Sequence, residues 1–259
     1  MPVPNASADP WVRAPAAASP APVRLFCFAH AGGGAAFFHP WRERLRPLAE
    51  VCPVVLPGHE SRYRETPIRA MEALLDPLCE ALWRHADRPV AFLGHSLGAA
   101  VAYEAARRFA AAGNPGPVCL LVSGRRAPHL PARRPPLAAL PREAFIAAVR
   151  GLEGTPREVM EQRELLELFL PALRADFHLN DAWVPLPGPP LACPVAALGG
   201  DADPEADPAE VEEWRYVTRG PFRCRIFPGG HFYLRGAPAP VVAAVRAELE
   251  RALAARAAP

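Results

Sequence analysis

Short apolar runs alternate along the chain with stretches of helical spacing. Six runs, VRLFCFA (23–29), CPVVLP (52–57), PVAFLG (89–94), VCLLVSG (118–124), CPVAALGG (193–200) and CRIFPGG (224–230), have no polar face. Strands of this kind belong to a parallel sheet covered on both sides. Helical spacing runs through 97–112, 209–218 and 241–253, the last with Val241, Val242, Val245, Leu249 and Leu253 on one stripe. Strand–helix alternation predicts an α/β fold, a mostly parallel central sheet flanked by helices.

One segment breaks the rhythm. Between Gly124 and Cys193 there is no strand signal, only helical patterns over 143–152 and 157–174 split by Gly154-Thr155-Pro156. That is too long for a plain loop, and it predicts an inserted helical lid over the C-terminal edge of the sheet. The expected division is a flexible N-terminal arm (1–22), a core of 23–124 and 191–259, and a lid over 125–190.

Composition narrows the function classes. With 259 residues, 29 basic against 27 acidic and a formal charge of +2, the chain lacks the basic excess of a nucleic-acid-coating protein. No apolar run approaches the roughly 20 residues that cross a bilayer. The N-terminus is too polar and proline-broken for a secretory signal, so the expected location is cytoplasmic, away from membranes. Every basic residue is arginine, a background that lowers the weight of any arginine cluster. The six cysteines form no C-x-x-C pair and read as free thiols.

The strongest chemical signal is Gly94-His95-Ser96-Leu97-Gly98, entered by an apolar strand and left by an alanine-rich helix. That placement is the strained strand–turn–helix on which a nucleophilic serine sits, with small residues two before and two after it. Serine needs a base. His231 follows the turn Phe227-Pro228-Gly229-Gly230 after the last strand, the position of the base when the order is Ser, acid, His. The acid should follow the penultimate strand, where Asp201-Ala202-Asp203-Pro204 stands. Asp203 is favoured, Asp201 is the competitor that could cap the turn instead, and Asp207 is a distant third. Oxyanion donors are expected from the backbone N–H groups of Leu97 and of Ala31, which opens the glycine-rich loop Gly32-Gly33-Gly34.

In family order, LFCFAHAGGGAAFFHPW (25–41), LPGHESRYRE (56–65), FLGHSLGAAVAYEAA (92–106), SGRRAPHL (123–130), LPALRADF (170–177) and ALGGDADP…EEW…FPGGHFYL (197–234) resemble the type II thioesterases of polyketide synthases and nonribosomal peptide synthetases, within the α/β-hydrolase superfamily. The resemblance supports Asp203 as acid and His231 as base. It departs at His59, where many members carry arginine. It implies hydrolysis of aberrant or stalled short acyl groups from the phosphopantetheine thiol of acyl or peptidyl carrier domains, with no metal or organic cofactor. The partner would be met transiently, by a monomer. Within the lid, Phe145, Leu152, Leu166 and Leu170 are candidate walls of an acyl chamber. Arg125, Arg126, Arg133 and Arg134 are candidates for docking an acidic carrier. The competing readings are a chain-releasing acyl-carrier-protein thioesterase, a general small-ester esterase, and a non-catalytic carrier-docking module.

Overall fold

In the computed structural model, which describes residues 9–13, 19–113, 116–155 and 157–257, the apolar runs form one six-stranded parallel sheet. Its strands are β1 (Val23–Phe28), β2 (Ala49–Pro53), β3 (Val90–His95), β4 (Leu120–Ser123), β5 (Val195–Gly200) and β6 (Phe222–Phe227), in the order β2-β1-β3-β4-β5-β6. The helices are α1 (His39–Leu45), α2 (Met71–Arg84), α3 (Leu97–Ala111), α4 (Arg142–Gly151), α5 (Arg157–Glu161), α6 (Arg163–Ala182), α7 (Pro208–Glu212) and α8 (Ala239–Ala257). Successive side chains of a strand take opposite faces. Phe26, Phe28, Phe92, Leu120, Val122 and Ala197 therefore pack with α2 and α3, while Leu25, Cys27, Leu93, Leu121 and Leu198 pack with α1 and α8. Both faces are covered, which is why neither reads as polar in the sequence.

The chain winds outward from β1 to β2 and then returns to place β3 on the other side of β1. Loops after β1 and β3 leave in opposite senses at that reversal, opening a crevice at the C-terminal ends of the strands. The glycine-rich loop and Ser96 flank this crevice.

Two strands differ in position from the sequence reading. β2 starts at Ala49 because Glu50, which interrupts the apolar run, is buried against Arg24 of β1 at 2.7 Å. A charge whose partner is supplied by the neighbouring strand is invisible to hydropathy. Val54 N–H still donates to Cys27 O of β1, and from there the chain turns to the N-terminal segment: Arg13 N–H donates to Pro53 O and Val55 N–H to Trp11 O. Residues 9–13 are thus not a loose arm. Trp11 and Val12 are buried in the core, with the Arg62 guanidinium 4.0 Å over the Trp11 ring. Positions 1–8 and 14–18 of the expected arm lie outside the described residues. β6 starts at Phe222, two residues before its expected position.

Among the helices, α1 and α2 were not anticipated. Pro77 inside α2 reads as a breaker, yet Leu74, Leu75, Leu78 and Leu82 carry the helix against the sheet. The single helix expected over 157–174 breaks at Gln162 and resumes as α6, which runs on to Ala182. That over 209–218 is α7 followed by a 3-10 segment, Glu213–Val217. Between β4 and β5, α4–α6 enclose an apolar cluster of their own that includes Phe145, Val149, Leu173 and Phe177. All six cysteines are free. Among the described residues no helix is long and apolar enough to cross a membrane.

Where the turn at Ser96 enters α3, a Cβ at Gly98 would run into the Phe28 and Ala29 carbonyls. Backbone cannot yield as a side chain does, so Gly98→Ala is expected to destabilise by about 3 kcal/mol. Gly151, at the exposed end of α4, meets nothing within 4 Å. Gly151→Ala should instead stabilise, by roughly 0.5–1 kcal/mol. Paired urea melts test both signs.

Candidate active site

Ser96 sits between the last residue of β3 and the first of α3 with φ 56° and ψ −117°. A side chain in this region costs about 1–3 kcal/mol, borne only where the surroundings over-determine it. Here Ser96 N–H donates to Ser123 O at 2.8 Å, and Ser96 O accepts from Ala99 N at 3.0 Å. The turn is thereby fastened to β4 on one side and to the helix on the other.

His231 and Asp203 meet across the ends of β5 and β6. His231 Nδ1 lies 3.0 and 2.9 Å from the two carboxylate oxygens of Asp203, which is buried. Asp203 Oδ1 also accepts the Glu205 N–H at 2.8 Å, holding the carboxylate in place. The competing aspartates are engaged otherwise. Asp201 Oδ1 accepts the Gly229 N–H at 2.9 Å, capping the turn that presents His231. Asp207 caps α7 in a reciprocal box with Glu210. With Nδ1 committed to Asp203, Nε2 is the imidazole nitrogen left to face a reacting group. His231 and Ser96 line one cavity of ≈ 280 Å³. Among the described residues Ser96 Oγ has no hydrogen-bond partner within 3.5 Å.

Beneath the imidazole lies a support that sequence reasoning missed. Tyr233 OH and Ser123 Oγ are 2.7 Å apart, and Ser123 Oγ is 3.1 Å from His95 Nδ1, all three residues being buried. The His95 ring lies 4.9 Å from that of His231. Burial, followed by the nearby His231 and His30, holds His95 well below its usual pKa, so it stands as a neutral ring. Gly124, at φ 56°, leaves room for both imidazoles; a Cβ there would lie 2.6 Å from His95 Cε1 and 3.3 Å from His231 Cε1. The signal available in the sequence was only that Ser123-Gly124 ends a strand beside the elbow.

The glycine-rich loop closes the other side of the cavity. Gly32 N–H donates to Asp176 Oδ2 at 2.7 Å and Gly33 N–H to His30 O at 2.8 Å. Among the described residues the Ala31 N–H is left without a partner, and Ala31 lines the cavity. Leu97 is the first residue of α3, so its N–H is one of those a helix leaves without an internal acceptor. His30 also lines the cavity; burial pulls its pKa down to about 4, with Nε2 3.2 Å from Gly154 O.

Of the four expected lid walls only Leu152 reaches the cavity. Phe145, Leu166 and Leu170 pack inside the helical insertion, Phe145 edge-on to Phe177 at 5.5 Å. A short insertion must bury an apolar core before it can line anything else. Val149, Phe177 and Trp183 line the cavity alongside Leu152.

The expected docking arginines are also occupied. Arg125 points inward, its guanidinium 4.6 Å from the Trp183 ring and 2.6 Å from Asn180 Oδ1, and burial lowers its pKa to about 10. Arg126 pairs with Glu210 at 2.7 Å, Arg134 with Glu205, and Arg133 with Asp207 and Glu210. These acids lie just after Asp203, so the arginines fasten the start of the insertion to the loop that carries it.

A strained serine, an Asp-bound histidine and free amides around one cavity are the parts of an acyl-transfer site. Residues 23–249 match the family model of the thioesterase domain. The chain belongs to the thioesterase family. It is a hydrolase acting on thioesters. Thioesterase PikA5 of Streptomyces venezuelae is 42% identical over 232 residues, covering 89% of this chain and 82% of that one. The gramicidin S biosynthesis protein GrsT of Aneurinibacillus migulanus is 38% identical over 216 residues, 83% of this chain and 84% of that one. The type II thioesterase BorB from the borrelidin biosynthetic cluster superposes with a TM-score of 0.84 at 38% identity, covering 93% of this thioesterase and 98% of BorB. The resemblance carried by the motifs is upheld, and the sheet and its flanking helices are those of the α/β-hydrolase fold.

The ion pairs of Arg133 and Arg134 yield a thermal test. In the thioesterase carrying Arg133→Glu and Arg134→Glu, like charges face Glu205, Asp207 and Glu210. Stability is expected to fall by about 1–2 kcal/mol, read as a lower Tm in differential scanning calorimetry. An unchanged Tm with a raised KM for a carrier-bound substrate would return these arginines to a docking role.

Proposed function

We propose that this thioesterase is an editing enzyme of a polyketide or nonribosomal peptide assembly line, removing stalled short acyl groups from the phosphopantetheine thiol of carrier domains. The observation that carries this reading is the two-oxygen grip of Asp203 on His231 Nδ1 beside Ser96 in one small cavity. Ser96 Oγ attacks the thioester carbonyl while His231 Nε2 takes its proton. Asp203 holds the ring in the Nδ1–H tautomer and balances the imidazolium that forms. The N–H groups of Ala31 and Leu97 receive the developing oxyanion. The tetrahedral centre collapses, His231 returns the proton, and the carrier thiol departs. Water then enters, loses a proton to His231 and attacks the acyl-serine ester; Ser96 is regenerated and the free acid released. Every step is a proton or acyl transfer that these side chains complete.

The size of the cavity is compatible with a short acyl group. A cavity of ≈ 280 Å³ lies at the low end of ligand pockets, which span roughly 300–1,000 Å³. The likeness to GrsT, a gramicidin S biosynthesis protein, and to BorB, a type II thioesterase from the borrelidin biosynthetic cluster, supports the carrier-bound substrate.

Ser96→Ala is expected to abolish hydrolysis of an acetyl- or propionyl-carrier domain while its melting curve stays cooperative. Intact mass of wild type quenched early in turnover should show the acyl group on Ser96. Asp203→Asn should lower kcat by about 10³–10⁴ through the wrong tautomer. A higher kcat/KM for C8–C12 than for C2–C4 carriers would favour chain release instead, and a preference for p-nitrophenyl esters would favour a general esterase.

A further inference from the structure

Asp176 projects from α6 to the underside of the glycine-rich loop and is buried. Its Oδ2 accepts the Gly32 N–H at 2.7 Å and lies 2.9 Å from His59 Nε2. His59, also buried, comes from the loop after β2. Its other nitrogen, Nδ1, lies 3.3 Å from the Pro57 carbonyl oxygen. Both ring nitrogens thus face acceptors. A neutral imidazole has one N–H and can satisfy only one of them; the imidazolium satisfies both.

We propose that His59 is a positioning residue for catalysis: held as an imidazolium, it neutralises Asp176 and through it fixes the Gly32 amide, so that the adjacent Ala31 N–H stays turned toward the oxyanion. The proposal rests on the acyl-enzyme reading above. Without that cation Asp176 would be a buried, uncompensated carboxylate one residue from the expected oxyanion donor. It would oppose the negative charge that develops in the transition state. The same carboxylate ties the helical insertion to the loop, making the oxyanion geometry depend on where α6 sits.

The groups facing this pair are Asp176 from α6, Glu60 from the loop of His59 itself, and His30 from the loop after β1. Burial pulls the pKa of His59 down, but the charge and hydrogen bond of Asp176, with the Pro57 carbonyl and Glu60, outweigh it and leave the value at about 8. The folded value is raised, so the tie is complete below the unfolded imidazole value and is lost as pH rises through about 8. An arginine at this position would keep the cation at any working pH.

The test measures kcat and KM on an acetyl-carrier domain between about pH 6 and 9.5 for wild type, His59→Arg and His59→Gln, each corrected for spontaneous hydrolysis. In wild type, kcat should fall about tenfold across a limb centred near pH 8 with KM little changed. His59→Arg should keep neutral-pH kcat within about threefold and lose that limb. His59→Gln, a neutral donor, should lose about tenfold in kcat even at neutral pH. An independent readout is the His59 ring signal in the NMR spectrum of the Ser96→Ala protein, expected to titrate near pH 8. The proposal is overturned by a limb that persists in His59→Arg, by a His59→Gln enzyme equal to wild type, or by a ring that titrates below pH 6.5. Wild type that forms no acyl-Ser96 would overturn the parent reading instead, and the NMR titration would still decide whether the ring is charged.

Discussion

A serine held at a positive φ between a buried strand and the first turn of a helix is the constraint around which the rest of the molecule is arranged. The conformation is unfavourable by itself, and it exists because β3 and α3 are each fixed by packing before they meet at Ser96. Glycines on either side let the turn close against backbone: Cβ atoms at Gly94 and Gly98 would strike the Gly98 and Phe28 carbonyls. Position in the sheet follows from the same constraint. β3 is central, beside the chain reversal, so the hydroxyl rises into the crevice between outgoing loops. A serine on a flexible loop would reach the same place at an entropic cost met anew in every turnover.

Around that serine, carboxylates do the fastening. Asp203 grips His231, Asp201 caps the Gly229 turn that delivers it, and Asp176 holds Gly32 and His59. Each joins distant parts of the chain, and the two that are buried, Asp203 and Asp176, exchange lost water for N–H donors, which is what lets acidic groups be buried. The arrangement rigidifies the C-terminal edge of the sheet without extending the apolar core into it. Preorganised donors of this kind act on a developing charge with little reorganisation.

The helical insertion has two duties that compete for its few apolar residues. Phe145, Leu166 and Leu170 hold its helices together, leaving Val149, Leu152 and Phe177 to face the cavity. The arginines at its start act as fasteners, because Glu205, Asp207 and Glu210 are folded against them. A cationic guanidinium does enter the cavity, at Arg125, stacked on Trp183 and hydrogen-bonded to Asn180. The insertion therefore gives the cavity a mixed wall, apolar at Val149, Leu152 and Phe177 and polar at Arg125, Asn180 and Asp181.

Much was legible from residue order alone. Runs apolar on both faces marked a covered parallel sheet, since burial on two sides leaves no polar register. Ser96 and the His231 turn were legible because each sits in a local backbone shape that only small neighbouring residues permit. Pairings between distant residues were not. Nothing near Glu50 announces Arg24, nothing near His59 announces Asp176, and nothing in Asp201-Ala202-Asp203 says which carboxylate reaches an imidazole from another loop. Which acidic groups of its own chain an arginine pairs with, and whether a leucine lines a cavity or fills a core, was likewise visible only in three dimensions. Local sequence determines which conformations and burial a segment prefers. The partner of a charge or the neighbour of a side chain depends on which distant segments are brought together, and that is decided by how the sheet and its helices pack as a whole.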